Sequence, residues 1–590
     1  MRGQAASPED FAKIRLNSVS IPETYEFGDF LLEASERRLS RNGQPVPLSP
    51  KAFDLLAALA GNPGRLLPKR ELLDLVWPAS FVEEGILAVH VSALRKALGE
   101  GYIQTVSRAG YRFTATVVRG DPGPDFARAC TSIAVLPSRR VMAGLLSGRE
   151  RATGLAIADA LIDRLGRLPG VLIRPTRAIQ EYADHAEDAA ATGRGLQVDA
   201  VLESTLLAAG DGIGISAGLI RSRDGVRLWS GDFRQPDSDV SALIEALTDS
   251  IASRLRPDRA VASRPRRIAH PEVYEWFGQG RAHLLSASLF EVPKAIEAFQ
   301  AALRLEPEYA AAHAGLALAY CAQAELRLAP ATQAYGEARA AALRALAMDD
   351  TCADAQVALG AVLFLSDWNW SGARRSLERA LDINPNHTEA YLLYGRLLEA
   401  LGELAAGLEM KLRALERDPF SPLVHVQIAL AYFHQRSYGR AIEWANKALE
   451  LDPRHLLARE VLAGAYLKAG DFDRHMAEAL RHAESAGAPP AALEPLRQMY
   501  AAGGRRAIVN FAIDQASRND TPSSAIVLAI HHAEAGNLDA AFHHLDRAME
   551  SHDPSLVHLA VAPQWDEFRA DPRFDACLAR MGLRTGSRLP

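Results

Sequence analysis

Residues 89–113 read VHVSALRKALGEGYIQTVSRAGYRF, and this stretch decides the fold of the N-terminal part of the chain. Just before and within this stretch, apolar residues recur at helical spacing, namely at Leu87, Val91, Leu94 and Leu98. The spacing predicts a helix from about Glu83 to Leu98 with one buried stripe, ended by Gly99. The segments YIQTV and YRFTATV that follow predict two strands joined by a tight turn, which is the pattern of a terminal hairpin.

The residues upstream predict a small sheet and two further helices. Asn42–Gly43 is a strong hairpin-turn signal between short β-like runs. Ser49–Pro50 places an N-cap serine before a proline at the first helical position, and a second helix is predicted from about Lys69 to Val76. Sheet, three helices and hairpin together predict a winged helix-turn-helix domain of α+β class over residues 25–118.

The side of the third helix opposite its leucine stripe has the character of a DNA-reading surface. It displays Val89, Ser92, Ala93 and Lys96, flanked by His90 and Arg95, and the hairpin adds Arg108 and Arg112. A helix in the major groove needs small outward residues for close approach and cations at its edges for phosphates. An isolated Arg–Lys pair would be read as a solvated helix face. The complete winged-helix order around Arg95 and Lys96 favours DNA binding instead.

The quoted stretch resembles the C-terminal DNA-binding domain of the OmpR/PhoB winged-helix family, particularly its CadC- and HilA-like members, over about residues 25–115. The resemblance implies that the major groove is faced by Val89, Ser92, Ala93 and Lys96. It implies backbone contacts from His90, Arg95 and Thr105, and entry of Arg108 into the minor groove. It also matches a loop that can contact RNA polymerase, with candidate residues Trp77, Phe81, Glu83 and Glu84.

The sequence departs from the family at two positions of the helix. Ser92 and Ala93 stand where many relatives have arginines, so bidentate reading of guanine is weakened. Base specificity is then expected from Lys96, from methyl contacts of Val89 and Ala93, and from DNA shape. Because the affinity of one monomer should be modest, we expect a homodimer bound to repeated half-sites of double-stranded DNA.

A small α/β domain is predicted over residues 130–257, between linkers at 119–129 and 258–270. Its predicted strands are TSIAVLP, VLIRP, DAVLESTLLA, GIGISAGLI and VRLWSGDF, with helices at about 151–168 and 239–255. These pieces resemble the TolB amino-terminal-like module. A phosphate loop is not predicted from Gly210, Gly212, Gly214 and Gly218, because these glycines lie within and between strands.

An all-α tetratricopeptide-repeat solenoid with a C-terminal cap is predicted over residues 271–590. Pro385, Pro419 and Pro453 lie 34 residues apart, the period of this repeat, and Pro307 and Asp350 mark two earlier units. Small residues recur twelve and five positions before these markers, which lets paired helices approach closely. The last segment, QWDEFRADPRFDACLARMGL, is predicted to form a capping helix.

Composition and charge fit a multidomain intracellular protein. The chain has 590 residues, of which 48% are hydrophobic, and its net charge of −6 is an average over modules that can hide a basic surface. The four cysteines show no CxxC spacing, which predicts neither a zinc site nor disulfides. No signal peptide and no apolar run of membrane-spanning length is found. We therefore expect a cytoplasmic location without membrane contact.

The sequence predicts no catalytic, cofactor-binding or metal-binding residues. It has no GxSxG, HExxH, Walker or kinase motif. The pairs His531–His532 and His543–His544 lack a ligand constellation and are predicted to be packed or solvated, and Trp368 and Trp370 are predicted to pack. An enzyme such as a nucleotide cyclase would need a catalytic domain for which no segment is left over.

The predicted function is one-component control of transcription. The repeat groove would bind a protein, peptide or small molecule and change how the winged helices meet DNA. Only the tail 1–24 precedes the winged helix, so a phosphorylated receiver domain is not expected. The alternative is a tetratricopeptide scaffold whose winged helix contacts protein, which salt-dependent DNA binding would distinguish.

Overall fold

The computed structural model describes residues 24–33, 37–41, 44–77, 82, 85–99, 101–107, 109–120, 130–140, 148–183, 188–209, 212–235, 240–255, 272–286, 288–518 and 522–583. The chain forms two compact units. Unit 1 combines Met1–Cys130 with Asp188–Asp258, and unit 2 combines Thr131–Glu187 with Arg259–Pro590. The division between the units falls inside the predicted middle domain 130–257, and the bounds of that domain stay a prediction.

Unit 1 opens with the predicted sheet and three helices. Its elements are β1 (Thr24–Phe27), β2 (Phe30–Glu33), β3 (Arg38–Arg41), β4 (Gln44–Pro45), α1 (Pro50–Ala60), β5 (Leu66–Pro68), α2 (Lys69–Val76), α3 (Gly85–Leu98), β6 (Ile103–Val106), β7 (Gly110–Phe113) and β8 (Val118–Gly120). Helix α1 starts where the cap signal predicts, since the Ser49 hydroxyl accepts from the Ala52 amide and Pro50 is the first helical residue. The predicted order of elements is confirmed.

Two close approaches hold the hairpin β6–β7 against the rest of the winged helix. Strand β7 pairs with both β5 and β6. A Cβ atom at Gly110 would lie 2.0 Å from the Leu67 carbonyl oxygen, so only glycine fits beside β5. Strand β7 ends at Phe113 and is shorter than the predicted segment YRFTATV, although the Thr114 amide still donates to the Tyr102 carbonyl at 2.9 Å.

The next elements along the chain belong to unit 2. They are β9 (Ser132–Val135), β10 (Arg139–Arg140), α4 (Gly148–Gly166), β11 (Leu172–Ile173) and α5 (Thr176–Ile179), followed by a 3₁₀ turn at Gln180–Ala183. Strands β9 and β11 are parallel. The chain then returns to unit 1 with α6 (Ala189–Gly195), β12 (Ala200–Ala209), β13 (Gly212–Arg221), β14 (Arg227–Gln235) and α7 (Val240–Leu255).

One sheet runs through unit 1 from the winged helix into these later strands. Strand β8 pairs antiparallel with β1 on one side and with β14 on the other. Strands β12, β13 and β14 form the two predicted hairpins, with Gly214 and Gly218 inside β13. The Arg254 guanidinium of α7 also forms an ion pair with Glu26 of β1. Residues 188–258 therefore extend the winged-helix sheet.

The remainder of unit 2 is helical, in antiparallel pairs. The helices are α8 (Glu272–Ser286), α9 (Glu291–Leu305), α10 (Ala310–Glu325), α11 (Ala331–Met348), α12 (Ala353–Leu365), α13 (Trp370–Ile383), α14 (Thr388–Ala400), α15 (Leu404–Arg417), α16 (Pro422–His434), α17 (Tyr438–Leu451), α18 (Leu456–Lys468), α19 (Phe472–Ser485), α20 (Pro490–Arg518, broken at Gly504), α21 (Pro522–Glu534) and α22 (Leu538–Glu550). The pairs follow the predicted repeat.

Small residues allow the paired helices to touch, as the 34-residue pattern predicts. A Cβ atom at Gly407 of α15 would lie 2.8 Å from the carbonyl oxygen of Gly395 in α14, and the reverse distance is also 2.8 Å. Ala373 and Ala441, one repeat before and after Gly407, are completely buried, and so is Ala414 at the second small-residue position of α15. Substitution of these residues by larger ones would force the helices apart.

The segment 131–187 packs on the turns between repeats. The Arg281 guanidinium of α8 lies 2.8 Å from Asp159 of α4 and 3.2 Å from Asp354 of α12. The Asn386 side chain, in the turn before α14, donates to the Gly166 and Val171 carbonyls, each at 2.9 Å. These buried bonds make the segment part of the same core as the repeats.

The C-terminal residues fold back onto repeats near the middle of the array. They form 3₁₀ turns at Pro554–His558 and Pro563–Phe568 and a helix α23 (Pro572–Arg580). The predicted single capping helix is wrong in its first half, because Pro572 disfavours helical backbone before it and Asp571 caps a new helix there. Trp370 donates through Nε1 to the Met581 carbonyl at 2.8 Å, and Trp368 stacks on His552.

Candidate nucleic-acid interface

Helix α3 separates a buried side from an exposed side as predicted. The stripe that enters the core consists of residues exposed by 3% or less, namely Leu87, Val91, Leu94 and Leu98. On the other side Val89 is 66% exposed, and Ser92, Ala93 and Lys96 are exposed as well. An apolar side chain so exposed is available for contact with another molecule. Among the described residues of unit 1, none covers this face of α3.

Arg95 is held by the hairpin strand β6. Its Nη2 atom donates to the Ile103 carbonyl and to the Thr105 hydroxyl, both at 2.7 Å. The structure thus brings together Arg95 and Thr105, two residues predicted to touch the DNA backbone. The guanidinium fixes the angle between α3 and the hairpin, because a planar fork binds two acceptors in a defined geometry.

His90 and Trp77 lie side by side at the other edge of the helix. Their ring centroids are 5.5 Å apart, and the Lys51 ammonium lies 5.7 Å from the Trp77 ring while donating to the Val76 carbonyl at 2.7 Å. Trp77 is only 8% exposed. A polymerase contact through the Trp77 ring is therefore disfavoured, because the ring belongs to the core of the winged helix.

Lys96 and Arg112 differ in how much of their charge is available. Lys96 is exposed and makes no ion pair or hydrogen bond within the described part of the chain. Arg112 is partly buried on β7, and its Nε atom has no partner among the described residues. The predicted residues Arg108, Phe81, Glu83 and Glu84 lie outside the residues that the structure describes.

A further exposed cation that the sequence reasoning missed, Arg70, lies in the first turn of α2. The Lys69 amide donates to the Ala109 carbonyl of the hairpin turn at 3.4 Å, and Arg70 follows Lys69 in the chain. Arg70 is exposed, and the neighbouring Glu71 is neutralised by Arg65 at 2.9 Å. The signal was Lys–Arg in the first helical turn, where acidic residues are usual and phosphate groups are favoured.

A group of ligand-type side chains occurs within the repeats. The available atoms of Glu399, His434 and His558 lie within 4.8 Å of one another. The Lys411 ammonium lies 2.6 Å from Glu399 and supplies the positive charge that a metal ion would bring. Lys411 and His434 hold the pKa of Glu399 below its usual value against the effect of burial. The group fits a buried ion network better than a metal site.

Comparisons with family models identify the two outer parts of the chain. Residues 43–113 match the model described as "Transcriptional regulatory protein, C terminal". Residues 364–429 and 422–455 match models of the tetratricopeptide repeat. The chain therefore carries a DNA-binding domain of OmpR/PhoB type followed by tetratricopeptide repeats. The TolB amino-terminal-like assignment of the middle segment stays a prediction.

Curated relatives support the same class. The transcriptional activator CadC of Escherichia coli is 35% identical over 97 residues, covering 15% of this chain and 19% of CadC. The phosphate regulon regulator PhoB of Pseudomonas aeruginosa is 39% identical over 93 residues, covering 15% of this chain and 41% of PhoB. The regulator HilA of Salmonella typhi is 21% identical over 419 residues, covering 70% of this chain and 73% of HilA. The chain thus spans less than half of CadC and of PhoB.

Solved structures resemble separate parts of the chain. The DNA-binding domain of Escherichia coli CadC is 31% identical, with 17% of this chain and 96% of that chain covered and a TM-score of 0.16. A monomeric mutant of IFIT1 with Gppp-AAAA is 18% identical, with 53% of this chain and 77% of that chain covered and a TM-score of 0.36.

Among the described helices, none combines the length and the apolar character needed to cross a bilayer.

Proposed function

We propose that the chain is a one-component transcription regulator that binds double-stranded DNA through α3 and the hairpin β6–β7. The observation that carries this proposal is the open face of α3. That face presents Val89, Ser92, Ala93 and Lys96 opposite a fully buried leucine stripe, within a domain of OmpR/PhoB type. A helix seated in this way can enter the major groove without rearrangement of its own core.

Each exposed residue has a role that its chemistry suits. Lys96 supplies a free ammonium for a guanine edge or a phosphate, and Val89 and Ala93 offer methyl groups to thymine. Arg95 and Thr105 hold the hairpin to the helix and present their remaining donors to the backbone. Arg112 contributes charge at the hairpin base, and Arg108 would enter the minor groove from the turn.

Besides DNA, the proposed partners are an effector, a second copy of the chain and RNA polymerase. The repeats bind a protein or peptide effector, since helical arrays of this kind expose extended surfaces. Two copies bind neighbouring half-sites, because Ser92 and Ala93 give one copy little base-reading capacity. Phe81, Glu83 and Glu84 are candidates for contact with RNA polymerase. We place this activity in the cytoplasm and assign it no catalytic step, cofactor or metal.

Selection of duplexes from a random pool by the full chain, followed by fluorescence anisotropy on the winning sequence, tests the proposal. Each phosphate contact should contribute about −0.9 to the slope of log K against log salt, so affinity should fall steeply between about 50 and 200 mM salt. Selection of no consensus sequence, with binding insensitive to salt, would refute DNA recognition. The protein-docking scaffold would then be the better assignment.

A further inference from the structure

An open groove lies between the second helices of the first two repeats. The buried residues of its floor come from α10, where His313 and Leu316 are 6% and 8% exposed, and its walls come from α9 and α11. The groove has a volume of about 630 Å³. This is within the range of pockets that hold a small ligand or a few peptide side chains.

The two walls of the groove each carry an arginine whose charge is not neutralised. Arg304 on α9 and Arg344 on α11 are exposed, line the groove, and have no ion-pair partner among the residues that the structure describes. Leu303 and Ala341 are further apolar residues of the groove lining. The groove therefore combines an apolar interior with two cations at its rim.

The charge at the equivalent position is neutralised in two of the three later repeats, but among the described residues neither Arg344 nor Arg379 has an ion-pair partner. Arg344, Arg379, Arg413 and Lys447 are spaced by 34 or 35 residues. Arg413 pairs with Glu409 and Lys447 pairs with Glu443 four residues earlier in the same helix, both at 2.7 Å. At Arg344 the residue four earlier is Ala340, and the carboxylate of this helix, Glu337, lies seven residues earlier and forms no ion pair with Arg344.

Elsewhere, residues 553–566 of the chain itself contact two arginines of the repeats. Arg327 contacts Asp553 at 3.4 Å, and Arg436 donates to the Val561 carbonyl at 2.8 Å and pairs with Asp566 at 2.6 Å. Arginines at the turns of the array thus already bind acidic residues and carbonyls of a peptide segment. These contacts show the kind of ligand that exposed arginines of these repeats accept.

We propose that the groove between α9 and α11 binds an acidic peptide segment of a partner protein, with one apolar anchor side chain. The anchor would pack on Leu303 and Leu316, and carboxylates on either side of it would pair with Arg304 and Arg344. The Gln300 amide and the Tyr320 hydroxyl, 3.3 Å apart, can bond the peptide backbone. Glu337 is the carboxylate on the groove wall, and it would repel acidic residues from that side and so set the direction of the peptide.

This inference rests on the proposed role of the repeats as the partner-binding part of the chain, but its test is independent of DNA binding. The probe is a fluorescein-labelled peptide of glutamates around one central phenylalanine, titrated with the full chain and followed by anisotropy. Two control peptides replace the glutamates by lysines or the phenylalanine by alanine. The double variant Arg304→Gln with Arg344→Gln is compared with the matched variant Arg413→Gln with Lys447→Gln.

We expect the first double variant to weaken binding of the acidic peptide at least tenfold and the matched variant to leave it within twofold. Both control peptides should bind at least fivefold more weakly than the probe. Equal binding by the two double variants, or by the lysine peptide, would overturn the proposal, as would the absence of binding at millimolar peptide.

The same titrations separate this proposal from DNA recognition. One outcome is that a DNA duplex displaces the peptide from the wild type and binds the variant Arg304→Gln with Arg344→Gln more weakly. The groove would then be a nucleic-acid site, and the peptide proposal would fall. If the selected duplex binds both double variants as it binds the wild type, DNA recognition stands whatever the peptide does. If DNA binding fails and the peptide binds as expected, the groove proposal stands without the regulator.

Discussion

The Arg95 guanidinium joins helix α3 to strand β6 by donating to the Thr105 hydroxyl at 2.7 Å. The same Nη2 atom donates to the Ile103 carbonyl at 2.7 Å, so one side chain bridges α3 and β6. On the proposed function, α3 and the hairpin fit two adjacent grooves at once, and their relative angle would then limit affinity for DNA. Arg95 is therefore a positioning residue as well as a cation.

Substitution of Arg95 tests this positioning role. We expect Arg95→Ala to reduce affinity for the selected duplex about tenfold or more and Arg95→Lys to recover little of it, since lysine restores the charge but not the fork. The salt slope separates the two effects, because Arg95→Lys should keep it. Full recovery by lysine would mean that Arg95 acts only through its charge.

Lys96 provides the cleaner test of direct contact. Because Lys96 makes no contact to lose within the described residues, Lys96→Ala should leave the thermal unfolding temperature unchanged. Affinity for DNA should fall, with the salt slope reduced by about 1 if the ammonium meets a phosphate. Unchanged affinity in both low and high salt would show that the exposed side of α3 does not meet DNA.

Substitution of Leu94 tests how much the buried stripe of α3 stabilises unit 1. Its side chain is completely buried in the winged-helix core, so Leu94→Ala should lower the free energy of unfolding of unit 1 by about 2–5 kcal/mol through the cavity it leaves. Denaturant unfolding followed by far-UV circular dichroism measures the change. Ala93→Ser, on the exposed side of the same helix, serves as the neutral control.

Removal of only one partner of the ion pair between Lys411 and Glu399 should strongly destabilise the repeats. Both side chains are buried, with relative exposures of 0% and 1%. Lys411→Met leaves the Glu399 carboxylate without its ammonium partner, and we expect a loss of about 3–5 kcal/mol in the free energy of unfolding of the repeats. The double change Lys411→Met with Glu399→Gln should recover part of this loss. A single variant as stable as the wild type would contradict the pairing.

Stability should fall in mild acid because of His558. Burial lowers the pKa of His558 well below 6.5, and the neighbouring His434, Arg396 and Lys411 side chains lower it further. Below pH 6.5 the unfolded chain therefore binds a proton that the folded chain does not, and the free energy of unfolding decreases by up to about 1.4 kcal/mol per pH unit. Thermal unfolding from pH 7.5 to pH 5 measures this, and His558→Gln should flatten the dependence. Equal slopes in the two proteins would exclude His558 as the cause.

Local signals predicted the helices of the winged helix and of the repeats. Serine and proline at the start of α1, the leucine spacing of α3 and the 34-residue period each depend on residues close together in the chain. The exposed set on α3 followed directly from the helical period. The burial of Trp77 did not, because a tryptophan beside a loop shows no periodicity that would reveal its packing on His90 and Lys51.

Contacts between residues far apart in the chain could not be predicted from the sequence. Strand β8 has three residues in a polar stretch, too few to show an alternating pattern, and its partners β1 and β14 are far apart in the chain. The return of residues 552–583 onto helices some two hundred positions earlier is likewise encoded only by complementary surfaces. The hydrogen bond from Arg95 to the Ile103 carbonyl depends on the distance between α3 and β6, which no local sequence pattern gives.

The pairing of β8 has a practical consequence for dissecting this protein. A fragment cut after residue 120 would retain β8 but remove β14, and the backbone donors and acceptors that face β14 would be left unsatisfied at an open edge. Such an edge invites pairing with other chains, so a short DNA-binding fragment is expected to aggregate. Since the missing strands return only after a long excursion, the DNA-reading part of this chain cannot be isolated by a single cut.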